Sequence, residues 1–488
     1  MSSQSAVERV RTRARRSQYS PRRRWRAVLG LLLLGGVLAG LLLGGVRLAD
    51  FLQSVGNVSP ATLSKQVDPP AGSIPYKLQH GQQVNILMLG YGGAENDAPY
   101  LTDTLMVLAI DPANHRAMQV SVPRDLMVNI DYGTGKSEFQ KINVAYEIGQ
   151  DDSSWPGKRS EYRGKTGGGR LAMATVSKVT GLQFDGFVAV DFKAFRDVVN
   201  ALGGVQACLD TPLDDLQYPD YHNGYIKGGI HFPAGCQNVN GEQALEIARS
   251  RKATEPEQAT DFGRARRQQM LLNAIRKKAN AVNALERAPQ LMDALQKNFV
   301  SSLDLSDINA LYTFAGKLPD TSIGHFGITQ DDLVQRFYMQ RGSCADYYAD
   351  VLCPLDPSFR TMHTFFDNLF VDAKVAAEKA PVRVDNASLG IEDLSLRVGN
   401  VLKPLGFQVE SPLRRRAQAG SYVYDLSGGK YPKTAQWLAG YFGATVVTPG
   451  TPSPATGVAP TGDGVVVVWG ATTRCAGRAR ARHIPGRP

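Results

Sequence analysis

The sequence predicts an α/β protein in which a central mixed sheet carries helices on both faces, preceded by an N-terminal transmembrane helix and followed by a second, small α/β domain. Three observations predict this architecture. Short apolar runs alternate with segments of helical spacing, a long uncharged run lies near the N-terminus, and a separate strand–helix alternation begins near Pro381. The chain of 488 residues is 43% hydrophobic and 20% charged, which excludes a wholly disordered chain, a collagen-like repeat and a polytopic membrane protein.

The N-terminal segment predicts the membrane topology. Ala27–Val46 is a run of 20 uncharged residues, and about 20 apolar residues span a bilayer as a helix. Residues 1–26 hold nine arginines and one glutamate, so the positive-inside rule places them in the cytoplasm and the body outside the cell membrane. We expect a single-pass anchor, with a signal peptide as the alternative, and contact of the basic segment with anionic membrane lipid.

The net charge of +10 is carried by the two ends of the chain. Residues 1–26 contribute +8, and residues 471–488, with five arginines and no acid, contribute +5, which leaves residues 27–470 at −3. Because the excess of positive charge is confined to the two ends, it does not indicate that residues 27–470 bind nucleic acid. No nucleic acid is expected as a partner.

The elements of the first domain follow from the apolar pattern. Short, mainly apolar runs predict strands at 84–89, 104–110, 117–122 and 187–192. Apolar residues at helical spacing predict helices at 170–179, 194–202, 241–249 and 262–281, with further helical patterns in 285–317 and 358–378. Gly181 suits the C′ position of the first helix, and 131–167 is interpreted as a polar, glycine-rich insertion.

The second domain repeats the alternation on a smaller scale. Strands are predicted at 382–386, 407–411, 422–425 and 444–447, with helices at 389–405 and 432–442. Residues 449–463 form a Pro/Gly/Thr linker and 464–470 one more strand. The predicted boundaries are 1–26 for the basic segment, 27–46 for the transmembrane helix, 47–80 for a stalk, 81–378 for the first domain, 381–448 for the second, and 449–488 for linker, strand and basic tail.

Cysteine pairing is sensible outside the membrane, where the medium can be oxidising. Cys208 ends a strand-like segment and Cys236 lies in a turn shortly before a helix, so we expect a bridge between them. Cys344 and Cys353 are close in sequence, and we expect a second bridge between them. Of the five cysteines, Cys475 is then left without an expected partner. Free buried thiols are the alternative, because connectivity does not follow from sequence.

The strongest chemical signal is a group of polar residues around the start of one predicted helix. Asp261 is the expected N-cap, and an arginine one turn later opposes the helix dipole, which often marks a functional site. A helix N-terminus with guanidinium groups favours a phosphate ligand, the alternative being a solvated basic face. The group consists of Arg249, Arg251, Asp261, Arg264, Arg267 and Gln268.

Carboxylates occupy the neighbouring sheet edge. Asp103 opens the second strand, and Arg124 and Asp125 follow the end of the third, where open α/β sheets bind ligands. A glycine-rich turn after the first strand carries Glu95 and Asp97. Carboxylates beside arginines are what a metal-bound pyrophosphate needs, since a hard cation takes oxygen ligands.

These segments, in this order, resemble the LytR-CpsA-Psr family of cell-wall glycopolymer ligases. Residues 381–448 resemble the C-terminal domain often attached to such proteins, and the fold implied is the α/β/α sandwich of that family. The matching stretches between about Val84 and Leu272 are NILMLG, LTDTLMVLAIDP, VSVPRD, KINVAY, FVAVDF, NALGGV, FPAGCQNVNGEQAL, ARSR and DFGRARRQQ.

The resemblance implies transfer of a glycopolymer from a polyprenyl (undecaprenyl) pyrophosphate to peptidoglycan, with Mg²⁺ as cofactor and with pyrophosphatase activity. Asp103 would then bind the metal, and Asp261 would orient the arginines. The implied pyrophosphate clamp is Arg124, Arg249, Arg251 and Arg264. The implied substrate contacts are Gln268, Arg267, Lys141 and Asp125.

Two roles stay open at this point. The first loop departs from the family pattern, so the second metal carboxylate is uncertain, with Asp97 favoured over Glu95. Asp125 is either the general base or a residue that orients Arg124. At the level of function, the alternatives are an external lipid pyrophosphatase without ligase role and an envelope regulatory protein of the transcription-attenuator kind, which the external body opposes.

Overall fold

The fold is described by a computed structural model for residues 68–94, 96, 98–220, 224–281, 299–315, 317–338, 350–387, 394–413, 415, 420–447 and 460–470. The predicted membrane span, the basic N-terminal segment and the basic tail lie outside these residues, as do Glu95, Asp97, Cys344 and Cys475. Among the described helices, none has the length and apolar character to cross a bilayer.

A six-stranded sheet forms the centre of the first unit. The strands of this unit are β1 (Val84–Tyr91), β2 (Thr102–Asp111), β3 (Arg116–Val122), β4 (Met127–Gly133), β5 (Lys136–Lys141), β6 (Gly186–Asp191), β7 (Val205–Leu209), β8 (Leu213–Asp215), β9 (Ile230–Phe232), β10 (Gly235–Val239), β11 (Phe299–Ser301), β12 (Ile323–Gly327), β13 (Val334–Tyr338) and β14 (Asp350–Pro354). The strand order of the central sheet is β11-β6-β1-β2-β3-β12. β1 and β6, and β3 and β12, pair in parallel, whereas the other neighbours are antiparallel.

Helices flank this sheet on both faces, so the predicted mixed α/β architecture is confirmed. The helices of the unit are α1 (Ile74–Gln79), α2 (Val144–Gln150), α3 (Gly167–Thr180), α4 (Phe192–Ala201), α5 (Gly241–Arg249), α6 (Asp261–Ala281), α7 (Leu305–Ala315), α8 (Arg360–Asp367) and α9 (Ala373–Ala376). Leu87, Val107 and Phe187 pack from one sheet face into the main core with α2, α3 and α8. The opposite face packs in part against α1 and α7, and its remaining part borders a cavity beneath α4, α5 and α6.

Two parts of the first unit differ from the sequence-based prediction. The stretch 131–167, expected as an insertion, contains the end of the β4–β5 hairpin and helix α2, whose Ala145, Tyr146 and Ile148 are buried. Strand β12 was missed because it is short and interrupted by glycine. The Met118 side chain packs closely over Gly324, since a Cβ at that position would lie 2.7 Å from the Met118 sulfur.

The disulfide expected in the first unit is present. Cys208 and Cys236 are directly opposed on the antiparallel pair β7 and β10, and their sulfur atoms are bonded. Cys353 is also disulfide-bonded, and its expected partner Cys344 lies outside the described residues.

The second unit extends further along the chain than predicted. Its strands are β15 (Pro381–Ala387), β16 (Gln408–Val409), β17 (Tyr422–Asp425), β18 (Thr445–Val447) and β19 (Val465–Gly470), and its helices are α10 (Leu394–Leu402) and α11 (Pro432–Phe442). The strand order is β16-β15-β19-β17-β18, so β19 is the central strand. The boundary predicted at 448 is therefore wrong for the fold, because the sheet is complete only at Gly470.

Candidate active site

Four strands end at one edge of the central sheet, and the candidate site residues gather there. β1, β3, β6 and β12 run in the same direction, and β2 starts where they end. Ligands of open α/β sheets bind at such an edge. Asp103 is the second residue of β2, and Arg124 and Asp125 follow β3 by two and three residues.

Arg124 is held between two carboxylates. Its Nη1 donates to Oδ1 of Asp103, and its Nε donates to Oδ2 of Asp125 over 3.3 Å. The Nζ of Lys141 donates to the other oxygen of Asp125 over 2.7 Å. Four residues predicted from the sequence therefore form one continuous chain of ion pairs.

Asp125 is kept ionised by its neighbours. Burial alone would raise the pKa of its carboxyl, but Arg124, Lys141 and Arg251 outweigh burial and hold this pKa below its usual range. Both carboxylate oxygens accept a hydrogen bond from a cation. A carboxylate with a lowered pKa is a weak proton acceptor, so of the two roles left open by the sequence, the geometry favours orientation of Arg124 over general base.

The turn after α5 is organised by Asp215, a residue that sequence reasoning missed. Asp215 is 1% exposed. Its Oδ2 accepts from the Ser250 hydroxyl at 2.8 Å and from the backbone N–H groups of Arg251 and Lys252 at 3.1 and 3.0 Å. These bonds fix the turn that places Arg249 and Arg251 on the cavity wall. Its position in a short polar stretch carries no sequence signal for this role.

Arg249 is held by aromatic rings. Its guanidinium carbon lies 4.4 Å from the ring centroid of Phe192 and 5.7 Å from that of Tyr218. A cation prefers the face of an aromatic ring, where the π electrons concentrate negative charge. The rings therefore fix the orientation of this guanidinium at the edge of the cavity.

The start of α6 differs by one residue from the prediction. Thr260, not Asp261, is the N-cap, because its Oγ1 accepts from the backbone N–H of Gly263 at 2.9 Å. Asp261 is the first helical residue, and its side chain lies outside the described set. Arg264 follows in the first turn, is 6% exposed, and shares a small recess with Asp103 and Gln268.

Arg267 has its donors directed at the protein rather than at the cavity. Its Nε donates to the Ile247 carbonyl at 2.8 Å, its Nη1 to the carbonyl and amide oxygens of Gln258 at 2.7 Å, and its Nη2 to the Ser250 carbonyl. Burial, reinforced by Arg264, lowers the pKa of Arg267 to about 10, which still leaves it charged at neutral pH. This arrangement favours a positioning role over the substrate contact that the resemblance implied.

One cavity collects most of the predicted site. Lys141 reaches this group through Asp125, and the Nε2 of Gln268 donates to the Ala248 carbonyl at 3.3 Å. Asp97 lies outside the described residues. The predicted residues that line the cavity wall are Asp103, Arg124, Asp125, Arg249, Arg251, Arg264 and Gln268.

The cavity has a charged edge and an apolar interior. It encloses about 1470 Å³ between the sheet and helices α4, α5 and α6. An amphiphile with an anionic head and a long apolar tail matches both parts. The interior is lined by apolar side chains that include Met106, Leu108, Val188, Phe195, Leu245 and Ile275.

Asp103 is the described carboxylate that suits a divalent cation at this edge. Its side chain is 32% exposed and faces the cavity. Within the described residues, no group of three or more His, Cys, Asp or Glu side chains is placed to hold a metal. Mg²⁺ is often bound by one or two carboxylates together with substrate phosphates and water. Asp103 fits this shared mode of binding and not a cage built from protein alone.

We predict that Arg267 stabilises the fold. Arg267→Met keeps the apolar stem but leaves three buried carbonyls without their donor, at roughly 1–3 kcal/mol each. We therefore expect the free energy of unfolding to fall by about 3 kcal/mol or more in urea denaturation. The exposed neighbour Arg266 provides the control, and Arg266→Met should change it by less than about 0.5 kcal/mol. Equal stability of the two variants would contradict the role assigned to Arg267.

Two proteins with similar sequences are named as teichoic acid transferases. The Polyisoprenyl-teichoic acid–peptidoglycan teichoic acid transferase TagU of Oceanobacillus iheyensis is 30% identical over 308 residues, which cover 62% of this chain and 86% of the relative. A protein with the same transferase name, TagV of Bacillus subtilis, is 28% identical over 232 residues. The match covers 48% of this chain and 52% of the relative.

Solved structures that match part of this chain include the crystal structure of B. subtilis TagV. It is 23% identical with a TM-score of 0.43, and the match covers 59% of this chain and 96% of that one. The structure of TagT bound to LI-WTA is 22% identical with a TM-score of 0.41, covering 59% and 90%. The model of the LytR_cpsA_psr family matches residues 53–347, more than half of the sequence. The chain therefore belongs to the LytR-CpsA-Psr family.

Proposed function

We propose that this protein is a phosphotransferase that moves a glycopolymer from a polyprenyl pyrophosphate to peptidoglycan. The proposed lipid carrier is undecaprenyl pyrophosphate. The observation that carries the proposal is the shared cavity, in which the ion pair of Asp103 with Arg124 and the neighbouring Arg264 border an apolar interior. A polyprenyl pyrophosphate has these two halves, an anionic head and an apolar chain. The relatives named as polyisoprenyl-teichoic acid–peptidoglycan transferases support the same class of reaction.

The apolar interior supplies the free energy for holding the lipid. Burial of apolar surface stabilises by about 25 cal/mol per Å², and this term does not depend on the identity of the glycan. The tail therefore provides affinity, while the charged edge positions the head. Because the arginines and the apolar side chains line one cavity, the pyrophosphate of a bound lipid can meet the arginines while the apolar chain stays buried.

The reaction needs charge neutralisation and alignment. A hydroxyl of peptidoglycan attacks the phosphorus next to the glycan and forms a new P–O bond, its proton passing to solvent. The bond from that phosphorus to the bridging oxygen breaks, and polyprenyl phosphate leaves with the electron pair. Arg124, Arg249, Arg251 and Arg264 face the charge that moves to the departing phosphate, which is the role of preorganised donors in such transfers. With water in place of the hydroxyl, the same alignment gives pyrophosphatase activity.

Mg²⁺ is the proposed cofactor, with Asp103 as its protein ligand and Asp97 as the proposed second carboxylate. When bound, it would add positive charge at the phosphate oxygens. Arg124 shares Asp103, so the arginine and the cation would be coupled through one carboxylate. Asp125 keeps Arg124 in place from the other side.

We propose a single-pass protein of the cell membrane, with residues 1–26 in the cytoplasm and the first unit, from about residue 81 to 378, outside. The second unit follows from 381 and, by its sheet, extends to 470. The arginine-flanked run Ala27–Val46 supports this topology. The Cys208–Cys236 bridge supports an oxidising compartment.

Replacement of Arg264 should remove activity without unfolding the protein. We expect Arg264→Ala to lower the rate of polyprenyl phosphate release about a hundredfold, or about 3 kcal/mol, because it removes a donor to developing charge. Arg264→Lys should also be impaired, since a point charge does not make a forked contact. Asp103→Asn should weaken the dependence on Mg²⁺. The assay is transfer to peptidoglycan from a labelled lipid-linked glycan, with melting temperature measured in parallel.

Full activity in both Arg264→Ala and Asp103→Asn would place the site elsewhere. Loss of activity together with a large fall in melting temperature would assign these residues to the fold. Release of polyprenyl phosphate with no transfer to peptidoglycan would identify a lipid pyrophosphatase.

Asp125→Asn should lower the rate by a similar factor at every pH between about 5 and 8. Because its folded-state pKa is below the usual value, the carboxylate stays ionised across this range, and its contribution to stability is lost only as the pH falls through that lower pKa. The measurement is a pH–rate profile of both proteins. A general base would reveal itself if the variant lost the acidic limb of the profile.

The topology predicts where the protein is cut by protease. In intact cells with a permeabilised wall, added protease should degrade the chain beyond about residue 47 and spare the basic segment. Non-reducing peptide mapping of the same envelope fraction should recover the Cys208–Cys236 crosslink. A body protected from external protease, with both thiols reduced, would reverse the assignment.

A further inference from the structure

The second unit reaches the cavity of the candidate site. Asn400 of α10, and Lys403 and Pro404 just after it, line the same cavity as Asp103 and Arg264. Lys403 both lines the cavity and is exposed to solvent. A unit that looks appended in the sequence therefore supplies part of the cavity wall.

Residues 328–333, here named the rim loop, connect this wall with the charged cluster. Ile328 and Thr329 line the small recess that also contains Asp103, Arg264 and Gln268. The loop is attached to the central sheet by a hydrogen bond from the Ile328 N–H to the Ser121 carbonyl, at 3.0 Å. Its first residues therefore stand beside the candidate catalytic groups.

Helix α10 holds the other end of the rim loop. The Nη1 of Arg397 donates to the carbonyls of Gln330 and Val334 at 2.6 and 3.1 Å. The Nδ2 of Asn400 donates to the Asp331 carbonyl at 3.3 Å. Two side chains of the second unit thus fix three backbone acceptors, and this clamp sets the position of Lys403 relative to the cluster.

The charges of the described rim favour an anion. Asp332 is 3% exposed, and its carboxylate accepts from the N–H and hydroxyl of Thr329 at 2.9 and 2.8 Å, so it is turned into the loop. Asp331 is the exposed acid of the rim loop. Against it stand the exposed cavity-lining cations Arg251, Lys252 and Lys403, whereas Arg266, also on the lining, pairs with Glu257.

We propose that Lys403 binds an anionic group of the glycan attached to the pyrophosphate, and that the second unit thereby contributes to the choice of polymer. The inference rests on the proposed function. If the arginine cluster takes the pyrophosphate and the apolar interior takes the lipid, the glycan extends from the cluster along the rim loop, which lies beside Asp103 and Arg264 and is clamped next to Lys403. The ligand class is a phosphate- or carboxylate-bearing glycan of the donor, with the Asn400 amide beside the ammonium for hydroxyl groups.

The first test compares donors. With the full chain, Lys403→Ala should raise the KM for a polyprenyl pyrophosphate carrying a phosphate-containing glycan about fivefold, the size of one partly exposed ion pair. The KM for a donor with a neutral glycan of equal length, and the hydrolysis of glycan-free polyprenyl pyrophosphate, should stay unchanged. The effect should shrink at high salt. Lys430→Ala, an exposed lysine of the same unit away from the cavity, is the matched control.

Unchanged KM values in Lys403→Ala, as expected if Lys403 only pairs with Asp331, would overturn the proposal. A rise in the KM for the peptidoglycan acceptor, or an equal rise for all donors, would also overturn it. Arg397→Ala should reproduce the selective KM effect at an unchanged melting temperature, with rescue by Arg397→Lys, because the clamp acts through the position of Lys403.

A binding measurement separates this inference from the proposed function. By calorimetry, the full chain should bind a soluble glycerol phosphate oligomer more tightly than a dextran of equal length, and Lys403→Ala should bind the oligomer about fivefold more weakly. If the unaltered protein transfers no glycan but shows this binding difference, the proposed function fails and the role of Lys403 stands. If the unaltered protein and Lys403→Ala bound the glycerol phosphate oligomer equally well, the proposed role of Lys403 would be refuted. This conclusion would not depend on whether the protein transfers glycan.

Discussion

Several guanidinium groups face one cavity. Like charges at close range repel each other, and the free-energy cost of this repulsion must be offset by acceptors that hold the groups in place. This repulsion is visible in the lowered pKa of Arg267, to which the charge of Arg264 contributes after burial. Three of the arginines are held in different ways. Arg124 lies between two carboxylates, Arg249 over an aromatic ring, and Arg267 among backbone carbonyls behind the cavity wall. At Arg124 and Arg249, the position of the cation is therefore fixed by the protein itself, as preorganised electrostatic catalysis requires.

The same constraint explains why the two faces of the central sheet differ. One face of the sheet packs directly against helices α2, α3 and α8. Its side chains are buried with theirs in the main core. On the other face, helices α5 and α6 contribute Arg249 and Arg264, and together with α4 they leave space for an apolar ligand. Buried Asp215 and Arg267 make this possible, because they tie the turn after α5 to the surrounding backbone by hydrogen bonds rather than by packing.

Sequence reasoning found what local pattern encodes. The long apolar strands β1 to β3 and the arginines around α6 each leave a signal within a few residues, whereas the bridge between Cys208 and Cys236 joins two segments 28 residues apart. The role of Asp215 leaves none, since it depends on a turn about 35 residues further along the chain. The N-cap was assigned to Asp261 because Thr260 beside it has the same preference. Strand β12 escaped because its pairing with β3 depends on residues far away in the sequence.

Strand β19 gives the second unit a particular order of assembly. It lies between β15 and β17, so the halves of this sheet do not touch each other except through a strand encoded at Val465–Gly470. As the chain leaves the ribosome, β15 and β17 appear well before it, each with an unpaired edge. Exposed edges invite wrong pairing with other chains. The unit closes only when β19 is inserted, so the last-made strand locks in elements that were synthesised long before it.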